Sequence, residues 1–533
     1  MKPGLWVALA FAAMTLVGLA VCADYGLPCD EPAEQEILRE NMLEYALAFQ
    51  GEDSAAALWY RSLGVEPISQ SVERDHGQCA YYPAAALLAM ELSPDVLTAL
   101  WHAYTWLWFM AGVWALYAFG RHTGLSRPFS LLGALLLWLS PRFFAEGHYN
   151  NKDMVLLSLV LLTLWLGMRL LKRPTLWRGV WFSLAGAMAA NTKIAGAFAW
   201  GVMGLCAVAL LCASRRWNRQ TAVAAVGTVA LFALFYAALT PALWASPGDY
   251  FSYGLSNASG FSRWPGVVVF RGMVWDQKMA PLPWYYLPWT MLVTLPLYVP
   301  VLGAAGQLHA LQRVRRERAQ ALRRPETLGL LAATLCWAAP LAVAMLIRPI
   351  VYNGWRHFYF VYAGVAPLAA HGAAACYRWL CSRSLRRLLA VGLSALLVAT
   401  GVGIAREHPY QFAYYNFLAG SNPEADMELD YWDVSTLNAL RQLAKAERNE
   451  ALPLVLGSRD PMSWFGVEHA YEVLSEELRQ VLTIAQDENA PYLFFNTTYA
   501  RIYGVPAPEG YHALLTLESY GNVLCTVYER DLP

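Results

Sequence analysis

Apolar runs recur along this chain from its start to about residue 404, and the charges between them are sorted by sign. Segments centred on 5–22, 99–119, 128–141, 154–171, 179–191, 194–212, 221–240, 287–306, 328–347, 359–376 and 388–404 are each predicted to form a helix in a bilayer. Some are shorter than the roughly 20 residues of a simple span. Only 15% of the 533 residues are charged, against about a quarter in a soluble domain. A polytopic α-helical membrane protein of about eleven spans follows.

The even-numbered connections carry clusters of cations. These are Arg121 and Arg127; Lys172, Arg173 and Arg178; Arg215, Arg216 and Arg219; Arg313 to Arg324; and Arg378, Arg383, Arg386 and Arg387. Excess arginine and lysine marks the cytoplasmic side, so the alternate loops, with acidic or aromatic residues, face outward. The first apolar run also fits a cleaved signal sequence, but either reading puts Asp30 outside the cytoplasm. An odd number of spans brings the region after Arg406 to the same outer side. That region reads as a small α/β unit, with a helix over 431–447, apolar runs at 452–456 and 492–495, and a hairpin over 514–528. Formal charges of 39 and 39 cancel, which argues against nucleic acid as a partner.

The outer loops hold the candidate chemistry. In the first (24–98), Asp30 and Glu31 precede an amphipathic helix opened by Pro32. The second runs from Pro141 to Asp153 and includes Glu146, His148, Tyr149, Asn150 and Lys152. Asn191-Thr192-Lys193 makes a short turn, the large 241–286 loop contains Arg263 and Trp264, and Arg348 to His357 includes Tyr352 and Arg356. Carboxylates on one loop with isolated cations on others suit a general base facing an anionic leaving group such as phosphate. Blander roles compete: Asp30 and Glu31 as helix caps, Asp153 as an N-cap, Lys193 snorkelling to headgroups, and the histidines as hydrogen-bonded core residues. No histidine lies in a metal-ligand pattern such as H-E-x-x-H. Of the nine cysteines, Cys29 and Cys79 share the first outer loop, where a disulfide is plausible.

This arrangement resembles the GT-C superfamily of membrane glycosyltransferases, within it the protein O-mannosyltransferase and lipid A aminoarabinose transferase group. The Asp30-Glu31 pair, the Pro141–Asp153 segment and the lysine-bearing 191–193 turn carry the resemblance, over about the first two hundred residues. It implies a polyprenyl-phosphate sugar as donor and a single inverting displacement on the outer face, with no cofactor and no metal. Catalytic roles fall to Asp30 as base, Glu31 as its assistant and Asp153 as an orienting group. Lys152, Lys193, Arg348 and Arg356 would hold the donor phosphate. His148, Tyr149, Asn150, Tyr352 and His357 would contact substrate.

The expected organisation is a GT-C-like transmembrane domain over 1–404 and an extracytoplasmic α/β domain over 405–533. The protein would sit in the plasma or inner membrane among membrane lipids. The acceptor hydroxyl, on a protein, a lipid or a glycan, stays open, as do the sugar and the polyprenyl length. Two alternatives are a flippase for a lipid-linked sugar and a membrane scaffold. A flippase favours ionisable residues within spans and internal repeats; here the charges lie almost wholly in loops and no repeat is visible.

Overall fold

The computed structural model describes residues 4–260, 264, 266–446 and 453–531. Arg263, the last residue of the helix expected over 431–447 and the first of the apolar run at 452–456 lie outside them. Among the described residues, six helices are long and apolar enough to cross a membrane: Asp153–Lys172, Ile194–Ala213, Arg219–Leu239, Pro325–Ile347, Arg356–Trp379 and Arg383–Arg406. Two bent pairs raise the number to eight if each is one span. Leu346, Leu205 and Val226 expose 81%, 72% and 70% of their surface, as lipid-facing positions do. The chain is an integral membrane protein.

Each of the eleven expected segments has a helical counterpart, but one expected as a continuous span is broken, and one expected to lead into a loop leads into a further helix. The span expected over 128–141 is the Arg127–Trp138 helix, but the segment expected as a loop from Pro141 begins with a second helix, Pro141–Tyr149, that leaves at 68°. Where one was expected over 287–306, Tyr286–Thr294 and Tyr298–Arg323 meet at 117°. The cause is the same in both. A residue preceding proline is driven out of the helical region by the ring. Ser140, before Pro141, is extended at ψ 115, and Leu295, before Pro296, at ψ 145. The first bend matters most, because it turns the expected second loop into a buried helix.

The C-terminal region forms a five-stranded sheet whose strands lie side by side in the order Leu482–Ile484, Leu454–Gly457, Tyr492–Asn496, Asn522–Arg530, Tyr511–Ser519. β3 (Leu454–Gly457), β4 (Leu482–Ile484) and β5 (Tyr492–Asn496) pair in parallel, while β6 (Tyr511–Ser519) and β7 (Asn522–Arg530) form an antiparallel hairpin. A shorter hairpin, β1 (Val267–Phe270) with β2 (Met273–Asp276), occupies the large 241–286 loop.

The sheet region shares its core with the membrane part. Tyr25 and Leu27 after the first helix, Ala145 and Tyr149 from the bent helix, and Tyr431, Trp432 and Leu437 form one buried cluster. Gly26 sits so close beneath the Val434–Ala446 helix that a Cβ would lie 2.0 Å from the Val434 carbonyl oxygen; no other residue fits. Cys29 donates its backbone N–H to Trp432 at 2.8 Å. The residues just before Asp30 are thereby stitched to the C-terminal region.

Candidate active site

The chain leaves this stitch at Pro28 and turns into the Glu31–Gln50 helix. Pro32 at the second helical position costs no hydrogen bond there. Asp30 occupies the N-cap but makes no side-chain capping bond. Its carboxylate instead accepts a hydrogen bond from Arg356 at 3.1 Å and remains about half exposed. Capping therefore does not account for Asp30.

Glu31 points elsewhere. It accepts from Nε2 of His102 at 2.9 Å and from Gln35 at 3.2 Å, with Glu31 and His102 both fully buried. The Cys22 carbonyl lies 3.2 Å from the other ring nitrogen. The two neighbouring acids thus make different bonds: both line the same cavity, but only Asp30 pairs with Arg356.

Three ion pairs line one cavity of about 760 Å³. Asp30 pairs with Arg356; Glu34, one turn into the helix, accepts from Lys152 at 3.3 Å; and Asp153 accepts from Lys193. Each pair joins segments remote in sequence. Asp153 lies in the first helical turn rather than at the N-cap, and its N–H is received by the Asn150 side chain at 2.8 Å. Lys193 ends the Leu176–Thr192 helix. Its turn is fixed by Asn191, which accepts from the Cys79 N–H at 3.0 Å and donates to the Leu239 carbonyl at 2.9 Å. Burial pulls the Lys193 ammonium down from the usual lysine range, and Asp153 opposes that shift.

Arg356 is the best-formed group in the cavity. Its guanidinium lies 4.2 Å from the centroids of both Tyr352 and Trp432, and its buried Nε has no hydrogen-bond partner among the described residues. Aromatic faces hold a guanidinium plane in a fixed orientation, leaving its edge for a planar or tetrahedral anion. Beneath it, Tyr359 and Tyr431 donate to Glu146 at 2.7 and 3.4 Å, and Asn150 donates to the other Glu146 oxygen at 2.8 Å. This buried carboxylate ties the bent helix to the Arg356 segment and to the C-terminal region.

The remaining candidates divide. Tyr149, Asn150, Tyr352 and His357 line the cavity, and the Tyr352 and His357 rings lie 4.1 Å apart. The buried Tyr149 hydroxyl has no partner among the described residues, whereas Asn150 is engaged in positioning Asp153 and Glu146. His148 is a correction. It is wholly buried, stacks on Trp106 at 4.3 Å and faces the Phe144 and Gly18 carbonyls, away from the cavity lining. Arg348 is another. It adopts a left-handed conformation that ends the Pro325–Ile347 helix, is exposed, and lies outside the cavity lining, although Pro349 and Ile350 belong to it. The Cys29–Cys79 disulfide is also not formed. Both thiols are free; Cys29 faces the Tyr431 carbonyl and Cys79 that of Met188.

Solved structures show similarity along the whole chain. ArnT from Cupriavidus metallidurans, bound to undecaprenyl phosphate, aligns over 99% of this chain and 98% of its own, at 14% identity and a TM-score of 0.46. The arabinofuranosyltransferase AftD from Mycobacteria aligns over all of this chain at 14% identity and a TM-score of 0.43. This chain spans 40% of that protein's length. No protein-family model and no curated protein sequence matches the chain. At such identities and scores the site's own residues must carry the functional reading.

Several lining residues lie outside the predicted site set, Glu34 and Trp432 among them. Glu34 lies in the first turn of its helix, where an acid favours the N-terminus, and it also holds Lys152. Trp432 is 4% exposed and covers Arg356. The signal available for Trp432 was its place in a run where acids (Glu428, Asp430, Asp433) interleave with apolar and aromatic residues.

Proposed function

We propose that the chain is a GT-C-like inverting glycosyltransferase that moves a sugar from a polyprenyl-phosphate donor to an acceptor hydroxyl on the outer face of the membrane. The observation that carries this reading is the cavity's mixed character. Its lining combines the charged Asp30, Arg356, Lys152 and Lys193 with the apolar Ile194, Leu255, Val343 and Ile347. A phosphate joined to a long hydrocarbon is a ligand of that shape and polarity.

In this reading Arg356 receives the phosphate at its stacked guanidinium, with Lys193 and Lys152 supplying further positive charge. The acceptor hydroxyl oxygen attacks the anomeric carbon from the face opposite the phosphate. Its proton passes to the Asp30 oxygen not held by Arg356. The anomeric carbon–oxygen bond breaks, the electron pair stays on the phosphate, and configuration inverts. A positioned base contributes about 10²–10⁴-fold, and stabilisation of the departing phosphate by fixed cations supplies a comparable or larger share. Because Glu31 is engaged with His102, it serves to fix the helix start that presents Asp30.

The test is transfer by the reconstituted full chain from a panel of labelled polyprenyl-phosphate sugars, scored by release of free polyprenyl phosphate. Wild type should release it and Asp30→Asn should lose at least about 100-fold in rate while remaining monodisperse. Near-full activity of the variant removes Asp30 from the role of base. Movement of intact donor across the bilayer without release would make the chain a flippase instead.

A further inference from the structure

The helices that frame the first cavity also frame a second one. Pro325–Ile347 reaches the first cavity at Val343 and Ile347 and the second at Glu326; Arg356–Trp379 reaches the first at Arg356 and the second at His371 and Arg378. A helix of that length is about 35 Å long, so the two cavities lie at opposite ends of the membrane helices. The second has a volume of about 690 Å³.

Its walls are basic. His309 and Arg313 come from the Tyr298–Glu317 helix, His371 and Arg378 from the Arg356–Trp379 helix, and Arg324 from the segment between helices. The two imidazoles stack at 14° with centroids 6.3 Å apart, and His371 is fixed by Thr123 at 2.9 Å. Both rings lie in the fields of Arg313 and Arg378. The acids of the wall are already engaged. Glu317 accepts from Arg313 at 3.0 Å, Arg324 at 3.1 Å and Thr327 at 2.5 Å, and Glu326 pairs with Lys172 at 3.1 Å. Among the described residues, Arg378 has no carboxylate partner. Positive charge is therefore in excess within a concave site at a membrane boundary.

We propose that this second cavity binds a phosphate-bearing anion, supplied by the headgroup of an anionic phospholipid. A phosphate would accept from Arg378 and from the imidazoles without having to displace the acids that hold Arg313 and Arg324. The lipid source is favoured by the surroundings. Leu308 and Leu311 on one flanking helix and Trp379 on the other expose 56%, 45% and 51% of their surface, giving acyl chains an apolar wall beside the basic opening. The site is independent of the first cavity's chemistry.

The experiment uses the purified full chain, with lipid retention read by native mass spectrometry and thermal stability read in parallel. The probes are phosphatidylglycerol, phosphatidylcholine and inorganic phosphate. Wild type should retain and be stabilised by phosphatidylglycerol in preference to phosphatidylcholine. Arg378→Gln, at an exposed position, should weaken retention about fivefold, the value of one cation near an anionic headgroup. His309→Gln combined with it should weaken retention further. Equal retention by wild type and both variants would overturn the site. Stabilisation by inorganic phosphate without preference for phosphatidylglycerol would overturn the lipid source.

Discussion

Replacing Arg356 by lysine isolates what the guanidinium does beyond carrying charge. Lysine keeps the positive charge near Asp30 but loses the planar fork and its packing over Tyr352 and Trp432, each 4.2 Å away. One charge-assisted hydrogen bond is worth about 1.5–3 kcal/mol, and a stacked cation adds about 0.5–1 kcal/mol. The loss falls on transition-state stabilisation if the bond strengthens as charge builds on the departing phosphate. Together these give roughly 2–4 kcal/mol, or about 30- to 900-fold in kcat/KM. Steady-state release of polyprenyl phosphate by the reconstituted enzyme measures it, with a fold check by thermal unfolding. A fall in kcat with little change in KM would locate the interaction in the transition state; a rise in KM alone would locate it in donor binding. Activity within threefold of wild type, by a variant that folds normally, would refute the assignment of Arg356 as the phosphate-holding group.

Lys193→Met leaves the buried Asp153 carboxylate without its cation, at a cost of about 3–5 kcal/mol for a fully buried pair and less here because Lys193 is one-fifth exposed. The thermal midpoint should fall, and Asp153→Asn in the same chain should recover much of the loss, a non-additivity read by a double-mutant cycle. Glu428, buried and bonded to the Val269 N–H and the Asn353 side chain, has its carboxyl pushed up to about 7 by burial. Its folded value exceeds the unfolded one, so its contribution is present at low pH and lost as pH rises through about 7. It amounts to about 3 kcal/mol, and unfolding of wild type and Glu428→Gln between pH 5 and 8 should show that pH dependence in wild type only. Intact-mass measurement without reductant should find Cys29 and Cys79 as thiols.

The membrane part was legible because its signals are local. Apolar length sets the helices, and the basic clusters mark their shared ends: Arg313, Arg324 and Arg378 do line one cavity. The bend at Leu295-Pro296 was legible as well, but hydropathy averaged across the proline hid it; at Ser140-Pro141 the end of the span was read and the helix beyond it was not. What no local pattern carries is pairing. Asp30 and Arg356 are separated by 326 positions, and nothing near either names its partner. The same holds for Trp432, whose role depends on how the C-terminal region docks against residues 25–29. His148 and Arg348 were misplaced for the opposite reason. Polar residues beside a predicted site were given to it, although one satisfies core carbonyls and the other ends a helix.

The adjacent acids Asp30 and Glu31 show how a helix start can assign different roles to the same chemistry. Successive residues at the beginning of a helix point about 100° apart, so two neighbouring carboxylates cannot face one ligand equally. Pro28 and the Cys29–Trp432 backbone bond fix where the helix begins, and Pro32 favours its first turn. With the start fixed, Glu31 is turned inward onto His102 and Asp30 outward onto Arg356. Shifting that start so that Glu31 took the place of Asp30 would put Pro32, which has no carboxylate, opposite the buried imidazole. The Glu31–His102 pair therefore does more than satisfy two buried groups: it selects the register in which Asp30 reaches the cavity. Gly26 enforces the same register from the other side, since its contact with Val434 leaves no room for the chain to slide.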